Sequence, residues 1–362
     1  MLRLLAFAFS LALAAQQPDD LFRAAVEAQQ RGDLETAIRD YRELLKMRPN
    51  APAARANLGA ALAHLGRFEE AIAEDRLALR LEPGNDAIRM NLGLAFYKQG
   101  QWQNAAGEFD QIYKHTPVDT RVVTLLGDCE LHLGKVEDAV RLAVPVAKAH
   151  PENLDLAFVA GSALIRAGKR RDGLVFIERV AREQKSADAY VLAGSTWLDV
   201  NEFQAARRDL EAALELNPTL PGVHTLLGMA LDKGGDATTA EAEFRRALEE
   251  KPDDFQANLY LGAILYKRRD LDEARKFLER ALKLDSSSAL ARFEFAQVES
   301  ASGQLAEAVS DLQYAAKTDP HWLEPHVQLA ALYYKLHRPQ EGAKEREIVD
   351  KLEAEQQKKG PQ

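Results

Sequence analysis

The sequence predicts an all-α fold, a solenoid of about ten stacked helix pairs. Three observations predict it. Proline returns every 34 residues at Pro49, Pro83, Pro117 and Pro151, small residues recur in two columns with nearly the same spacing, and a glycine recurs between those columns. A fixed period of this length is typical of stacked supersecondary units, each burying its apolar face against its neighbours.

Alignment on the prolines defines ten repeats, and a place below is a position counted from the first residue of a repeat. Small residues at places eight and twenty predict a close crossing of two helices, such as Gly93 against Ala105. A glycine at place fifteen of most repeats predicts the left-handed turn that ends the first helix, and an apolar residue follows it two places later. The repeats begin near Pro18, Pro52, Asp86, Thr120, Leu154, Ala187, Pro221, Phe255, Ala289 and Leu323.

Particular segments of these repeats resemble a known family. The segments N-L-G-A-A-L at Asn57, N-L-G-L-A-F at Asn91 and L-L-G-M-A-L at Leu226 are similar to the first helix of a tetratricopeptide repeat. The resemblance covers nearly the whole chain after residue 17 and implies a helix–turn–helix solenoid wound as a right-handed superhelix. It departs at place four, where the family often has tryptophan and this chain has Arg55, Arg89, His224, Asn258, Arg292 and His326.

The first residues differ from everything after them. Arg3 precedes an apolar run from Leu4 to Ala15, which contains the small-residue pattern Ala12-Leu13-Ala14. This pattern is typical of a secretory leader and is too short for a permanent membrane span. We expect residues 1–15 to be a signal peptide and the mature protein to be exported, periplasmic or secreted, with no membrane span.

The repeats are predicted to form three groups after the leader. Residues 16–153 hold repeats one to four, 154–186 an irregular adaptor repeat, and 187–356 repeats six to ten with a polar cap, followed by a frayed tail at 357–362. The adaptor has Gly173 in its second helix and Lys185 in place of proline, and Pro145 lies just before it. A seam between two arrays and ordinary drift of a tolerant repeat are both open interpretations.

Composition and motifs disfavour several classes of function. The net charge is −9 and no run of Lys and Arg exceeds three residues, so a nucleic-acid partner is not expected. No phosphate-binding, zinc-protease or serine-hydrolase motif occurs, so we predict no enzyme activity, metal or cofactor. The single cysteine, Cys129, is interpreted as a small buried apolar residue, and His321 and His326 as surface or packing residues.

The remaining candidate site follows from the resemblance. In this family the first helices line a concave groove through places two, five, six, nine, twelve and thirteen, and large or polar side chains at these places suit an extended peptide. Asn57 and Asn91 are either two rungs of an asparagine ladder or solvated groove residues. The predicted groove residues are Phe22, Asn57, Met90, Asn91, Tyr97, Lys98, Phe158, Arg166, Met229, Tyr260, Tyr266, Lys267, Phe293 and Tyr334.

The sequence therefore predicts a non-enzymatic scaffold that binds a protein or an extended peptide in its groove. Five aromatic residues, Tyr97, Phe158, Tyr266, Phe293 and Tyr334, are expected to be the main anchors. Two alternatives stay open: a targeting or regulatory subunit of an envelope enzyme complex, and a secretion or pilus assembly factor. The partner and the oligomeric state are not determined by these patterns.

Overall fold

A computed structural model describes residues 17–359, which contain twenty helices and no strand. Odd-numbered helices are the first helices of the repeats, and even-numbered ones are the second helices. Repeats one to five comprise α1 (Pro18–Gln30), α2 (Leu34–Met47), α3 (Pro52–His64), α4 (Phe68–Leu81), α5 (Asp86–Lys98), α6 (Trp102–His115), α7 (Thr120–His132), α8 (Val136–Ala149), α9 (Leu154–Arg166) and α10 (Arg170–Gln184).

The other five repeats have the same two-helix composition, so the predicted all-α class is confirmed. Their helices are α11 (Ala187–Asp199), α12 (Phe203–Leu216), α13 (Val223–Lys233), α14 (Ala237–Glu250), α15 (Phe255–Lys267), α16 (Leu271–Leu284), α17 (Ala289–Ala301), α18 (Leu305–Thr318), α19 (Leu323–Lys335) and α20 (Pro339–Lys359).

The chain divides into two compact units, Met1–Val180 and Ala181–Gln362, with the boundary inside α10. In each unit a second helix packs against the first helix of its own repeat and against the first helix of the next, as α4 does with α3 and α5. This alternation builds a core that grows with each repeat. The role of residues 139–186 as a hinge stays a prediction.

The helices begin where the sequence predicts. Nine of the ten first helices start at the first residue of the repeat, and the exception is α13, which starts at Val223 because Gly222 before it is left-handed, with φ of 76°. The apolar residue two places after the turn, such as Phe68 or Trp102, is the first residue of the second helix. The period of the sequence is therefore the period of the structure.

The turn at place fifteen is left-handed in all ten repeats. Seven repeats have the predicted glycine there, with φ from 69° to 91°. The other three repeats adopt the same conformation with Asn201, Arg269 and His337, at φ of 61°, 66° and 57°. An L-residue with a Cβ is disfavoured in this region by about 1–2 kcal/mol, so Arg269 and His337 are strained where glycine is not.

The glycines at place eight make room for the side chain at place 24. A Cβ added to Gly93 would lie 2.6 Å from Cε1 of Phe109, and one added to Gly228 would lie 2.7 Å from the same atom of Phe244. The expected partner Ala105 is therefore wrong for Gly93. Phe109, one helical turn after Ala105, fills the space, because the hollow left by glycine accommodates a large ring.

Repeat two has a carboxylate at this apolar place. Asp75 is fully buried beside Gly59, and neither of its carboxylate oxygens has a hydrogen-bond partner among the described residues. Burial, with a smaller contribution from Glu74, raises the pKa of Asp75 to about 8. The core of repeat two thus contains an uncompensated polar group.

The residues that replace the family's tryptophan at place four are braces. Arg55 lies 2.5 Å from Glu74, which is at place 23 of the same repeat, and also donates to the Pro49 carbonyl of the preceding repeat at 2.8 Å. The side chain thus joins three consecutive segments of the chain. The same ion pair recurs as Arg89–Glu108 and Arg292–Asp311, and a histidine–carboxylate hydrogen bond joins the same two places as His224–Glu243 and His326–Glu345.

Repeat five has the same helix–turn–helix form as the other repeats, although its residues differ at several places. A Cβ on Gly173 would lie 2.7 Å from the Gly161 carbonyl oxygen, so Gly173 is required by a close crossing rather than being a defect. Lys185, in the place of proline, ends α10 with φ of 50°, and Ser186 then caps α11. Helix α8 continues through Pro145 to Ala149.

The last helix of the described residues is α20. Helix α20 reaches Lys359, and the fraying expected from residue 357 stays a prediction. The segment from 343 to 359 has no proline or glycine and is rich in helix-forming Glu, Lys and Gln. The leader at 1–15 and residues 360–362 lie outside the described residues. No helix in the described part of the chain has the length and apolar character of a membrane span.

Candidate functional site

The side of the first helices that bears places two, five, six, nine, twelve and thirteen is called here the first-helix face. The predicted groove residues stand at these places. Lys98, Arg166, Lys267 and Tyr334 are exposed, and Phe293 is buried. The remaining members are half-buried: Phe22, Asn57, Met90, Asn91, Tyr97, Phe158, Met229, Tyr260 and Tyr266. Exposure alone does not decide which of these side chains can contact a ligand, because several already form contacts with neighbouring residues.

A cleft of about 420 Å³ opens between α3 and α5 on the first-helix face of unit 1. It is called here the α3–α5 cleft. Its volume lies within the range of about 300–1,000 Å³ that is usual for binding sites. Eight residues line it: Ala60, Ala63, His64, Phe68, Asn91, Leu94, Ala95 and Lys98.

The cleft is produced by small side chains at groove-facing places. Places nine and twelve of repeat two hold Ala60 and Ala63, whereas the same places of repeat three hold Leu94 and Tyr97. The two alanines leave a hollow that Leu94 and Phe68 wall with apolar surface. Such a hollow accepts an aliphatic or aromatic side chain of a ligand.

Two predicted residues give the cleft its polar edge. Asn91 and Lys98 both line it, together with His64. The Asn91 side chain has no hydrogen-bond partner among the described residues. A free amide offers both donors and an acceptor, which are the groups that a peptide backbone requires.

The second rung of the proposed asparagine ladder lies beside a tyrosine hydroxyl. Asn57 lies close enough to the Tyr41 hydroxyl to affect its pKa, and this hydroxyl donates to Gln29 at 2.8 Å. Burial raises the pKa of Tyr41, so the hydroxyl keeps its proton. Asn57 and Asn91 therefore differ, and only Asn91 lines the cleft.

Tyr97 is held in a cluster of its own rather than projecting freely. Its hydroxyl donates a 2.5 Å hydrogen bond to Asp128, and its ring meets Trp102 edge-on at 5.1 Å. Trp102 stacks on His132 at 4.0 Å, and His132 Nε2 lies 3.6 Å from the same Asp128 carboxylate. These four residues are called the Tyr97 cluster.

The Tyr97 cluster gives its tyrosine structural contacts, while the expected role of Tyr97 as an anchor stays a prediction. Burial, together with the negative charge of Asp128, raises the pKa of Tyr97 well above its usual value. The ring and the hydroxyl are both used in joining repeats three and four. Phe22 is held similarly, with its ring 6.1 Å from that of Tyr41.

Other predicted residues of unit 1 have structural contacts too. Arg166 donates to the Leu131 carbonyl near the end of α7 at 3.1 Å, and this carbonyl also accepts from the Gly134 N–H at 3.2 Å. Met90 packs against the core of unit 1. Phe158 is half-buried on α9.

In unit 2 two predicted residues, Tyr260 and Lys267, belong to one cluster. Its ring stacks on Phe244 at 5.8 Å, and the Lys233 ammonium lies 5.8 Å from the ring centre. Glu294 lies close to both Lys233 and Lys267, and burial raises its pKa in spite of these two cations. Two lysines and the carboxyl groups of Glu294 and Asp232 thus lie around a half-buried aromatic ring.

The remaining aromatic anchors of unit 2 differ in availability. Phe293 is 8% exposed and packs on Trp322 with ring centres 4.7 Å apart, so its ring is already covered, and its role as an anchor stays a prediction. Trp322, in the turn before α19, covers it. Tyr334 is 51% exposed, while Tyr266 and Met229 pack partly against the core.

The predicted groove residues all have large or polar side chains. Ala60 and Ala63 stand at groove-facing places too and are not among them. Asp128 and His132 stand at places nine and thirteen of repeat four, four residues apart on one helix face. That spacing was the available signal for the Tyr97 cluster.

The described residues contain no group of three or more His, Cys, Asp or Glu side chains suited to holding a metal ion. Cys129 is fully buried, and burial raises the pKa of its thiol to about 12, which confirms its interpretation as a packing residue. His326 is buried against Glu345 and His321 is exposed, so both interpretations of these histidines are confirmed.

The repeat geometry and the sequence agree with one family. The family model described as tetratricopeptide repeat matches residues 22–86, 90–153 and 225–289, which together are more than half of the chain. A second model of the same description matches residues 187–220. The chain belongs to the tetratricopeptide-repeat proteins.

Curated relatives share only part of their length with this chain. Anaphase-promoting complex subunit 3 of Schizosaccharomyces pombe is 27% identical over 150 residues, 41% of this chain and 23% of that protein. The human protein O-mannosyl-transferase TMTC1 is 23% identical over 191 residues, 51% of this chain and 22% of that protein. The chain thus spans less than a quarter of either relative.

Among solved structures, the chain is similar to YrrB, described as a tetratricopeptide-repeat protein with an unusual peptide-binding site. The identity is 20% and the TM-score 0.42, with 51% of this chain and 95% of that chain covered.

Proposed function

We propose that the protein is a non-enzymatic scaffold that binds an extended segment of a partner protein along the first-helix face. The α3–α5 cleft is the observation that supports this function. It combines an apolar hollow with an unpartnered amide at Asn91 and a cation at Lys98. A peptide fits this combination, since one side chain fills the hollow while the amide pairs with the backbone.

The anchor in this site belongs to the ligand and not to the protein. The aromatic residues expected as anchors are largely engaged: Tyr97 is bonded to Asp128 and Phe293 is covered by Trp322. The α3–α5 cleft is instead a hollow with small residues at its base. A bulky apolar side chain of the partner therefore supplies most of the buried area.

The proposal is tested by a substitution that fills the hollow of the α3–α5 cleft. Affinity capture from an envelope extract of the native host identifies a partner, and the bound segment is then prepared as a synthetic peptide. Ala60→Phe is expected to weaken its binding at least about tenfold, because the added ring occupies the space of the ligand. Asn91→Ala is expected to weaken it too, through loss of the amide.

The matched control is Ala73→Phe, which adds the same ring at an exposed position of α4, the second helix of the same repeat. It is expected to bind the peptide as the native protein does. Circular dichroism confirms that all three variants are folded. A folded Ala60→Phe protein that binds with unchanged affinity refutes the cleft as the binding site.

Export is a second part of the proposal. Residues 1–15 have the charge, apolar run and small-residue site of a secretory leader. N-terminal sequencing of the protein from its host is expected to begin after Ala14 or Ala15. An intact Met1 on a cytosolic pool refutes export and leaves the binding function untouched.

A further inference from the structure

A second cleft, of about 410 Å³, lies between the second helices α8 and α10 of unit 1. It is called here the α8–α10 cleft. Its base is apolar, with Leu164 and Phe176, and Val175 at its edge is 69% exposed. Val175 thus adds exposed apolar surface beside the apolar base of the cleft.

The charged side chains of this cleft lack partners. Arg179 lines it, and its Nε and Nη2 atoms are buried without any hydrogen-bond acceptor among the described residues. Its guanidinium carbon is 5.8 Å from the Phe176 ring centre, which holds the group over the apolar base. Lys148, in the last turn of α8, lines the same cleft.

Buried donors without acceptors are costly, and the cost is removed when an anion binds. Two cations of one cleft in an acidic protein select a negatively charged ligand. The neighbouring Phe176 and Val175 add a requirement for an apolar group beside that charge.

The helix spacing sets the length of the ligand. Asp172, Val175, Phe176 and Arg179 line the cleft from one face of α10. The seven positions from Asp172 to Arg179 rise about 10 Å along the helix, which about three residues of extended chain cover. Asp172, at the far end from Arg179, is an acceptor for a backbone N–H.

We propose that the α8–α10 cleft binds a short acidic segment of a partner protein. In that segment a Glu or Asp carboxylate pairs with Arg179 and Lys148, and an adjacent aliphatic side chain packs on Phe176 and Val175. The surface is built by second helices, so it is separate from the first-helix face and its ligand. The irregular repeat five thereby supplies a binding surface.

The probe is a fluorescein-labelled peptide amide with the sequence Gly-Lys-Leu-Glu-Gly, whose binding is followed by fluorescence anisotropy. Replacement of its glutamate by glutamine is expected to weaken binding about tenfold or more. Lys148→Gln is expected to do the same. Val175→Asp, at an exposed position, places a like charge beside the ligand carboxylate and is expected to abolish binding.

The matched control is Lys317→Gln, because Lys317 is an exposed lysine at the same place of repeat nine. This variant and Ala60→Phe are expected to bind the probe as the native protein does. Equal binding of the glutamate and glutamine probes refutes the proposal, as does a folded Val175→Asp protein with native affinity. Tighter binding of Gly-Lys-Leu with a free terminal carboxylate also refutes it, in favour of a chain end.

Discussion

Tyr97 on α5 donates its hydroxyl proton to Asp128 on α7, and this 2.5 Å hydrogen bond joins the first helices of repeats three and four. Asp128 is also 3.6 Å from His132, whose ring stacks on Trp102. The bond therefore ties together two repeats through one carboxylate. A residue at a groove-facing place has in this case become part of the scaffold.

Tyr97→Phe is expected to lower the free energy of unfolding by about 1–3 kcal/mol, because a partly buried hydrogen bond to a charged acceptor is lost. Thermal and urea unfolding followed by circular dichroism measure the change. The double variant with Asp128→Asn isolates the pair. Additive losses in this double-mutant cycle refute the coupling of Tyr97 and Asp128.

Asp75→Leu is expected to stabilise the protein by about 1–3 kcal/mol or more, because it removes an unpaired buried carboxylate. Leucine fits at this place, since Leu210 and Leu278 stand at the same place beside Gly194 and Gly262. Urea unfolding at pH 7 measures the gain. A less stable, folded Asp75→Leu protein contradicts the assignment of the site.

The stability gained by Asp75→Leu is expected to increase with pH. The folded protein holds the Asp75 proton up to a pKa of about 8, whereas the ordinary value is 3.8. The folded state therefore binds more protons than the unfolded chain between these values, and the stability contribution falls as pH rises through that window. Asp75→Leu and Asp75→Asn are both expected to remove this fall, so their advantage over the native protein grows from pH 5 to pH 8.

Two helical glycines are expected to respond oppositely to alanine. Gly93→Ala places a Cβ 2.6 Å from the Phe109 ring and is expected to cost about 1–3 kcal/mol. Gly107→Ala meets no atom within 4 Å on α6 and is expected to gain about 0.5–1 kcal/mol from helix propensity. Melting temperatures of the two variants that move in the same direction contradict this packing.

Arg269→Gly is expected to stabilise unit 2 by about 1 kcal/mol, because it relieves a left-handed residue with φ of 66°. The reverse test is Gly235→Ala, at φ of 91° with no atom within 4 Å of the added Cβ, which is expected to cost about as much. Calorimetry measures both. An unchanged Gly235→Ala protein shows that the turn tolerates a side chain.

Periodicity made most of the fold predictable. The first residues of nine repeats and the turn glycines are local features, and each follows from proline, glycine and apolar spacing alone. The partner of Gly93 was not predictable in the same way. Ala105 and Phe109 lie one turn apart on α6, and the choice between them depends on how deeply the two helices approach.

The candidate site was less predictable than the fold for a related reason. Side-chain size indicates how much surface a residue offers but not whether a neighbour already covers it. Trp322 covers Phe293 from the turn before α19, and Asp128 binds Tyr97 from the next first helix. The hollow arises because Ala60 and Ala63 have small side chains, and its walls come from repeats two and three together.

The brace formed by Arg55 bears on how the number of repeats in such a chain can change. Both charged partners, at places four and 23, belong to the same repeat, and the third contact is a backbone carbonyl, as at Pro49. A carbonyl is present whatever residue stands there. Duplication or loss of one whole repeat thus keeps the two charges of this brace together, so the brace by itself places no limit on the number of repeats.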